Sequence, residues 1–204
     1  MSEFDKKAAE WDKNPMHWDR SEAIANEIKA LLPLNKKMRA LEYGAGTGIT
    51  SFLLKDLLNE ITLMDNSAEM VKVMKNKIRA SRVNNMSALN FDLENTDYNS
   101  GTFDLIFTQM VLHHVVNINN IIEKFYRLLN KGGYLAIADL YKEDGSFHGD
   151  GFDGHLGFDI GNLTAILRKN NFNTISHKEC FIIDRKISDT ESNQFPVFLL
   201  IAKK

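Results

Sequence analysis

The chain has 204 residues, 44% of them hydrophobic and 25% charged, which excludes a disordered or collagen-like polymer and supplies enough apolar material for a substantial core. Twenty-five Lys and Arg against 27 Asp and Glu give a net charge of -2, so no global field draws the protein to nucleic acid or an anionic membrane. Cys180 is the one cysteine and can form neither an internal disulfide nor a thiolate zinc site alone, while the longest wholly apolar stretch, Phe195 to Ala202, is too short to span a bilayer. The opening MSEFDKKAAEWDK has no apolar core of a secretory signal, so a cytoplasmic location is expected. With no repeat and no Pro/Ser-rich linker, residues 1–204 read as a single domain.

Residues 4–19 are polar with large aromatics interspersed, which reads as an arm or cover. From Ser21, apolar residues at Ile24, Ile28, Leu31 and Leu32 give a helix with one buried face, ended by Pro33. Residues 38–43 read as a strand that runs into a glycine cluster at 44–48, and residues 49–58 as a helix. A second strand spans 61–65, and Asn66 is positioned to cap the following helix with Glu69 as its reciprocal partner. A weak strand at 87–91 and a stronger one at 103–108 follow. Ile118, Ile121, Ile122, Phe125, Leu128 and Leu129 mark an amphipathic helix that Gly132 and Gly133 should stop. Residues 134–140 form another strand and 160–169 a helix. Two apolar runs, 180–184 and 195–202, are joined by a gap too short for a helix, so they should pair as an antiparallel hairpin, with Pro196 tolerated near a strand start. Strands alternating with helices indicate a parallel α/β sheet covered on both faces.

The glycine cluster Gly44-Ala-Gly-Thr-Gly48 follows a strand and opens a helix, where backbone N–H groups can meet a ligand closely. Ile49 stands where a dinucleotide fingerprint wants glycine or alanine, and the Lys-Ser/Thr of a Walker loop is absent. A tight turn would leave the same trace. Asp65 ends the second strand, where a carboxylate can accept both hydroxyls of a ribose, and Asp92 could accept from an exocyclic amine. Helix capping is the competing explanation for each acid.

With these residues the sequence resembles the class I S-adenosylmethionine-dependent methyltransferases. The matching blocks are residues 40–48, 63–67 with Met70, Phe91-Asp92-Leu93, residues 103–109 with 112–115, and residues 128–135, in the family's order. The resemblance implies an α/β, three-layer doubly wound seven-stranded sheet, order 3-2-1-4-5-7-6, with strand 7 antiparallel. It also implies S-adenosyl-L-methionine as cofactor. Glu42, Gly44 and Gly46 would meet its methionine part, Asp65 its ribose, Asn66 its adenine ring, and Asp92 with Leu93 the adenine amine. Gln109 would contact the amino-acid portion, and Tyr43 replaces the commoner aliphatic residue.

Methyl transfer from a sulfonium needs a side-chain base only when the nucleophile arrives protonated. His113 and His114, after the fourth strand, are the first candidates, against a purely structural role. Residues 141–159 contain five glycines together with Phe147, His148 and His155, which suits a lid over the acceptor. The spacing of His148 and His155 is not that of a zinc motif, and no metal is expected. Trp11, Trp18 and Arg20 on the N-terminal arm and helix (1–37) either anchor that segment or close it over the site as candidate substrate contacts, with Arg20 near a carboxylate. The acceptor should be a small molecule, because the Pro-Pro-aromatic motif of DNA amino-methylating enzymes and the Pro-Cys of cytosine-C5 enzymes are both missing. A nicotinamide-dependent oxidoreductase and a non-catalytic binding module of the same fold are the alternatives.

Overall fold

In the computed structural model, which describes residues 3–187 and 192–204, the carboxyl ends of the parallel strands meet at one edge of a seven-stranded sheet. The strands are β1 (Arg39–Tyr43), β2 (Glu60–Asp65), β3 (Met86–Asn90), β4 (Phe103–Gln109), β5 (Leu129–Leu140), β6 (Asn173–Lys186) and β7 (Ser192–Lys203). Their order is β3-β2-β1-β4-β5-β7-β6, parallel throughout except that β7 runs antiparallel to both β5 and β6. This is the sheet that the family resemblance implies.

Alternation along each strand sends side chains to two cores. One joins Ala40, Leu63 and Phe107 to Ile24 and Ile28 of α2 (Pro15–Leu31), Leu54 of α3 (Ile49–Leu54) and Met74 of α4 (Ala68–Ala80). The other joins Leu41, Met64 and Ile106 to Ile121 and Phe125 of α5 (Ile118–Leu128) and Leu163 of α6 (Ile160–Lys169). A further short helix, α1 (Glu3–Lys7), and a 3-10 turn (Ala8–Lys13) form the arm. Among the described residues no helix is long and apolar enough to cross a membrane.

Several boundaries differ from the sequence reading. Helix α2 starts at Pro15, because the Asn14 side chain accepts from the Met16 N–H at 3.1 Å and proline suits the first helical position. The cap of α4 is Ser67, whose hydroxyl accepts from the Met70 N–H, and Asn66 lies outside it. Helix α5 ends at Leu128, and the glycines lie within β5, where the ladder to β4 slips between Phe103 and Leu105 and Gly132 takes a φ of +79°. The helical run after Gly48 gives way to a 3-10 turn at Lys55–Leu57. Strands β6 and β7 extend well beyond their apolar runs, so Pro196 lies inside β7. It sits one residue past the last β5 pair, Leu140 with Val197, where its carbonyl still accepts from the Tyr141 N–H at 3.2 Å and the missing N–H falls at the end of that ladder. Residues 188–191, within the expected hairpin connection, lie outside the described residues.

Candidate functional site

A cavity of about 780 Å³ opens at the carboxyl edge of β1, β2 and β4, within the size range of small-molecule sites. Its floor is the loop between β1 and α3. Gly44 has a φ of +66° and backs onto the Val111 side chain where a Cβ would stand, and Gly46 has a φ of +56°. The Gly46 N–H donates to Asp65 Oδ2 at 2.7 Å, and the Ser67 N–H donates to Oδ1 at 2.8 Å. Asp65 therefore ties the glycine loop to the start of α4, and each oxygen retains a lone pair for a ligand hydroxyl. Burial pushes its pKa up against the opposing pull of these two N–H groups.

Glu42 is buried below the loop and accepts from both the N–H and the hydroxyl of Ser51; burial pushes its pKa up to about 7. Gln109 is held between two helices, donating to Ser21 Oγ at 2.7 Å and accepting from Thr50 Oγ1 at 3.2 Å. Asp92 accepts from the Glu94 and Asn95 N–H groups at 3.0 and 3.2 Å, which is the capping geometry, while still facing the cavity. The Leu93 carbonyl takes the Nζ of the buried Lys124 at 2.8 Å, and Asn66 lies at the cavity wall.

The arm folds across this floor. Asp12 accepts from the Thr47 hydroxyl and, at 2.7 Å, from Lys77 Nζ, which also reaches the Thr47 carbonyl at 2.9 Å. Asp5 accepts from the Ser67 hydroxyl at 2.6 Å. Trp11 stacks on His17 with ring centroids 4.1 Å apart and lines the cavity above Gly46. Arg20 is also at the wall and is only 5% exposed. Its Nη1 reaches the Met16 sulfur at 3.7 Å, and its Nε has no partner among the described residues. Burial lowers its pKa to about 10, opposed by the field of Asp139.

At the far end of the cavity stand His113, His114 and His148. His113 is buried, with Nδ1 2.6 Å from Asp139 Oδ1. Desolvation, aided by the neighbouring His113, holds both His114 and His148 down to about 4. The His148 ring stacks on Phe152 with centroids 3.7 Å apart, and Phe147 packs beneath it against Phe195.

Two of the candidate acceptor residues lie elsewhere. Trp18 points away, its Nε1 donating to the Asp12 carbonyl at 2.9 Å while Lys77 sits over its ring. His155 is turned to the Val115 carbonyl at 2.9 Å, so it fastens the loop. Neither lines the cavity. Conversely, Asp139, Asp12 and Lys77 escaped the sequence reading. An acid at the carboxyl end of a parallel strand was the available signal for Asp139, whereas Asp12 and Lys77 carried none.

A family model described as a methyltransferase domain matches residues 34–178. A curated relative, an uncharacterized methyltransferase of Schizosaccharomyces pombe, is 31% identical over 120 residues, covering 55% of this chain and 42% of its own length. The match thus spans less than half of that relative. Among solved structures, the methyltransferase complexed with the Trm112 activator of Haloferax volcanii superposes with a TM-score of 0.81 at 18% identity, covering 100% of this chain and 98% of its own. Phosphoethanolamine N-methyltransferase 2 of Haemonchus contortus, in complex with S-adenosyl-L-methionine, gives a TM-score of 0.72 at 15% identity, covering 92% of this chain and 52% of its own. The structural likenesses establish the fold; the family match over residues 34–178 establishes that this chain belongs to the methyltransferase domain family.

Proposed function

We propose that the protein transfers a methyl group from S-adenosylmethionine to a small-molecule acceptor held at the histidine end of the cavity. The observation that carries this reading is the Asp65 carboxylate at the end of β2, fixed by the Gly46 and Ser67 N–H groups beside a glycine floor that leaves no side chain in the way. Asp65 would accept the ribose hydroxyls. Glu42, Gly44, Gly46 and Gln109 would face the methionine part, Asn66 the adenine ring, and Asp92 with Leu93 its amine. The guanidinium of Arg20, whose Nε has no partner among the described residues and which lies one residue before the Ser21 that holds Gln109, would supply the counter-charge for the amino-acid carboxylate.

When bound, S-adenosylmethionine supplies an electrophilic methyl on a sulfonium. The chain's own residues then orient the acceptor in line and exclude water, which is where much of the rate of such a displacement originates. The closed arm, with Trp11 and His17 over the floor, provides that exclusion. His113 and His114 stand at the acceptor end. His113 is oriented by Asp139 and His114 is held neutral, the state in which an imidazole can take a proton.

Asp65→Ala is expected to weaken S-adenosylmethionine binding by roughly 2–4 kcal/mol, the cost of two hydrogen bonds to a charged group. Isothermal titration calorimetry checks this, and unchanged affinity would reduce Asp65 to a loop tie. Arg20→Gln should weaken the same binding by about 1.5–3 kcal/mol, and an analogue lacking the carboxylate should not distinguish the variant from the parent. Transfer of a radiolabelled methyl group to fractionated metabolites separates the enzyme from a binding module of the same fold, since the module would bind the cofactor without turnover.

A further inference from the structure

We propose that His113, His114 and His148 form a site for one divalent transition-metal ion, of the zinc type, whose open coordination position faces the cavity. Its binding stands on the three side chains alone; only its role in the reaction rests on the methyltransferase reading above.

One ligand nitrogen from each of the three rings lies within 4.8 Å of the others. Two of the rings come from the turn after β4 and the third from the loop after β5, so the site closes between separate segments of the chain. Asp139 is fully buried beneath His113. Its Oδ1 stands 2.6 Å from His113 Nδ1 and accepts from the Leu140 N–H at 2.8 Å, while its Oδ2 accepts from the His113 N–H at 3.3 Å. That arrangement puts the proton on Nδ1 and leaves the Nε2 lone pair outward, the carboxylate–histidine pairing that orients metal-bound imidazoles. His148 provides the second, independent sign, because its Nδ1 is buried and has no partner among the described residues. In the tautomer protonated at Nε2, that nitrogen carries an unused lone pair.

Metal–nitrogen bonds of 2.0–2.1 Å place tetrahedral ligands about 3.4 Å apart, so the triad must tighten by roughly an ångström. The loop apex allows this, since Gly149 and Gly151 hold φ of +80° and +85° with nothing within 4 Å of where a Cβ would stand. Three nitrogen donors and no carboxylate in the cluster favour zinc or cobalt over magnesium or calcium. Three protein ligands with a fourth position open to the cavity make the arrangement of a reactive site, not of a structural one.

The chemical class of acceptor follows. A thiol or hydroxyl, R–XH, binding at the open position loses its proton to solvent because the ion lowers its pKa. The freed lone pair on X forms the bond to the methyl carbon as the carbon–sulfur bond of S-adenosylmethionine breaks. The pair from that bond stays on sulfur, giving R–X–CH₃, S-adenosylhomocysteine and one released proton. No side-chain base is then required: with the ion bound, His113 and His114 are its ligands and not the proton acceptors they would be without it, and Asp139 is a positioning residue.

Chelator-stripped full-length protein titrated with Co²⁺ tests the site directly. One equivalent per chain is expected, with the intense visible absorption of four-coordinate cobalt, displaced by Zn²⁺. His148→Gln, a polar replacement at a half-buried position of the loop, should weaken Co²⁺ binding at least about 100-fold, and Asp139→Asn about 10–100-fold, with circular dichroism showing that each variant keeps the parent fold. His155→Gln, on the same loop but outside the cluster, should bind as the parent does. No visible band, or binding that survives His148→Gln, overturns the site. Calorimetry with S-adenosylmethionine on the same preparation separates the two readings. Cofactor binding without cobalt binding removes the metal site alone, and cobalt binding without cofactor binding removes the methyltransferase reading alone.

Discussion

Gly46→Val is expected to abolish S-adenosylmethionine binding while the sheet stays folded. At Gly46 the backbone φ is +56°, and a Cβ there would find only Trp11 Nε1, 4.0 Å away, so the branch would project into the cavity without striking the core. A β-branched residue in this left-handed region costs about 1–3 kcal/mol, which should lower Tm by roughly 2–12 °C in a chain of this size. The same substitution disturbs the N–H that holds Asp65 and fills the space where the cofactor would lie. Affinity should therefore fall beyond detection, more than about 100-fold, equivalent to over 2.7 kcal/mol. Calorimetry and circular dichroism on one sample check both halves. Persistent binding would mean that the cluster is only a turn. Gly44 is the poorer probe, because a Cβ there runs into Val111 and confounds folding with binding.

The second large effect is expected at the loop after β5. Replacing residues 148–153 with Gly and Ser of equal length should abolish methyl transfer and leave S-adenosylmethionine affinity within about 1 kcal/mol, roughly fivefold. The structure narrows the earlier expectation of a lid spanning 141–159. The base of the loop is tied by the Lys142 N–H to the Phe158 carbonyl, by the Glu143 N–H to the Leu156 carbonyl, and by the His155 N–H to the His113 carbonyl. Phe147 is part of the core beside Phe195 and must be kept. What the replacement removes is the apex, with His148 and the Phe152 on which it stacks, beside His113 and His114. Turnover measured beside calorimetry decides; loss of cofactor binding would make the apex a structural cover.

The legible parts of this protein were those written in local spacing. The glycine loop between strand and helix, Asp65 at a strand end, and the amphipathic faces of α4 and α5 each show within about 15 residues and indicate a parallel α/β sheet, whereas the strand order is what the family resemblance implied. Adjacent residues of equal capping ability did not resolve, which is why Ser67 and not Asn66 caps α4. The Asn14-Pro15 start of α2 has the composition of a cap followed by a first helical residue, but the surrounding aromatics masked it. The histidine cluster was out of reach for a different reason. Sequence proximity pairs His148 with His155, whereas loop closure sends His155 to the Val115 carbonyl and His148 across to His113 and His114. Asp139 reaches His113 only because β4 and β5 are parallel neighbours whose ends arrive side by side.

The docked arm has a thermodynamic corollary. Helix α1 buries none of its residues fully, and the following turn buries Ala8 alone, so the arm is held by the polar ties of Asp5 and Asp12 to the loop and to α4 and by the ring contacts of Phe4 with His114 and of Trp11 with His17. A segment so weakly anchored belongs to the least stable part of the molecule. Yet Phe4, Trp11 and His17 form one side of the cavity, so a ligand touching them meets its full set of partners only in the docked state. Reciprocity then fixes the coupling: occupancy raises the docking equilibrium by the same factor by which docking raises affinity. Protection of the amides of residues 4–13 from solvent exchange thus becomes a gauge of what the cavity contains, read from the outer surface of the protein.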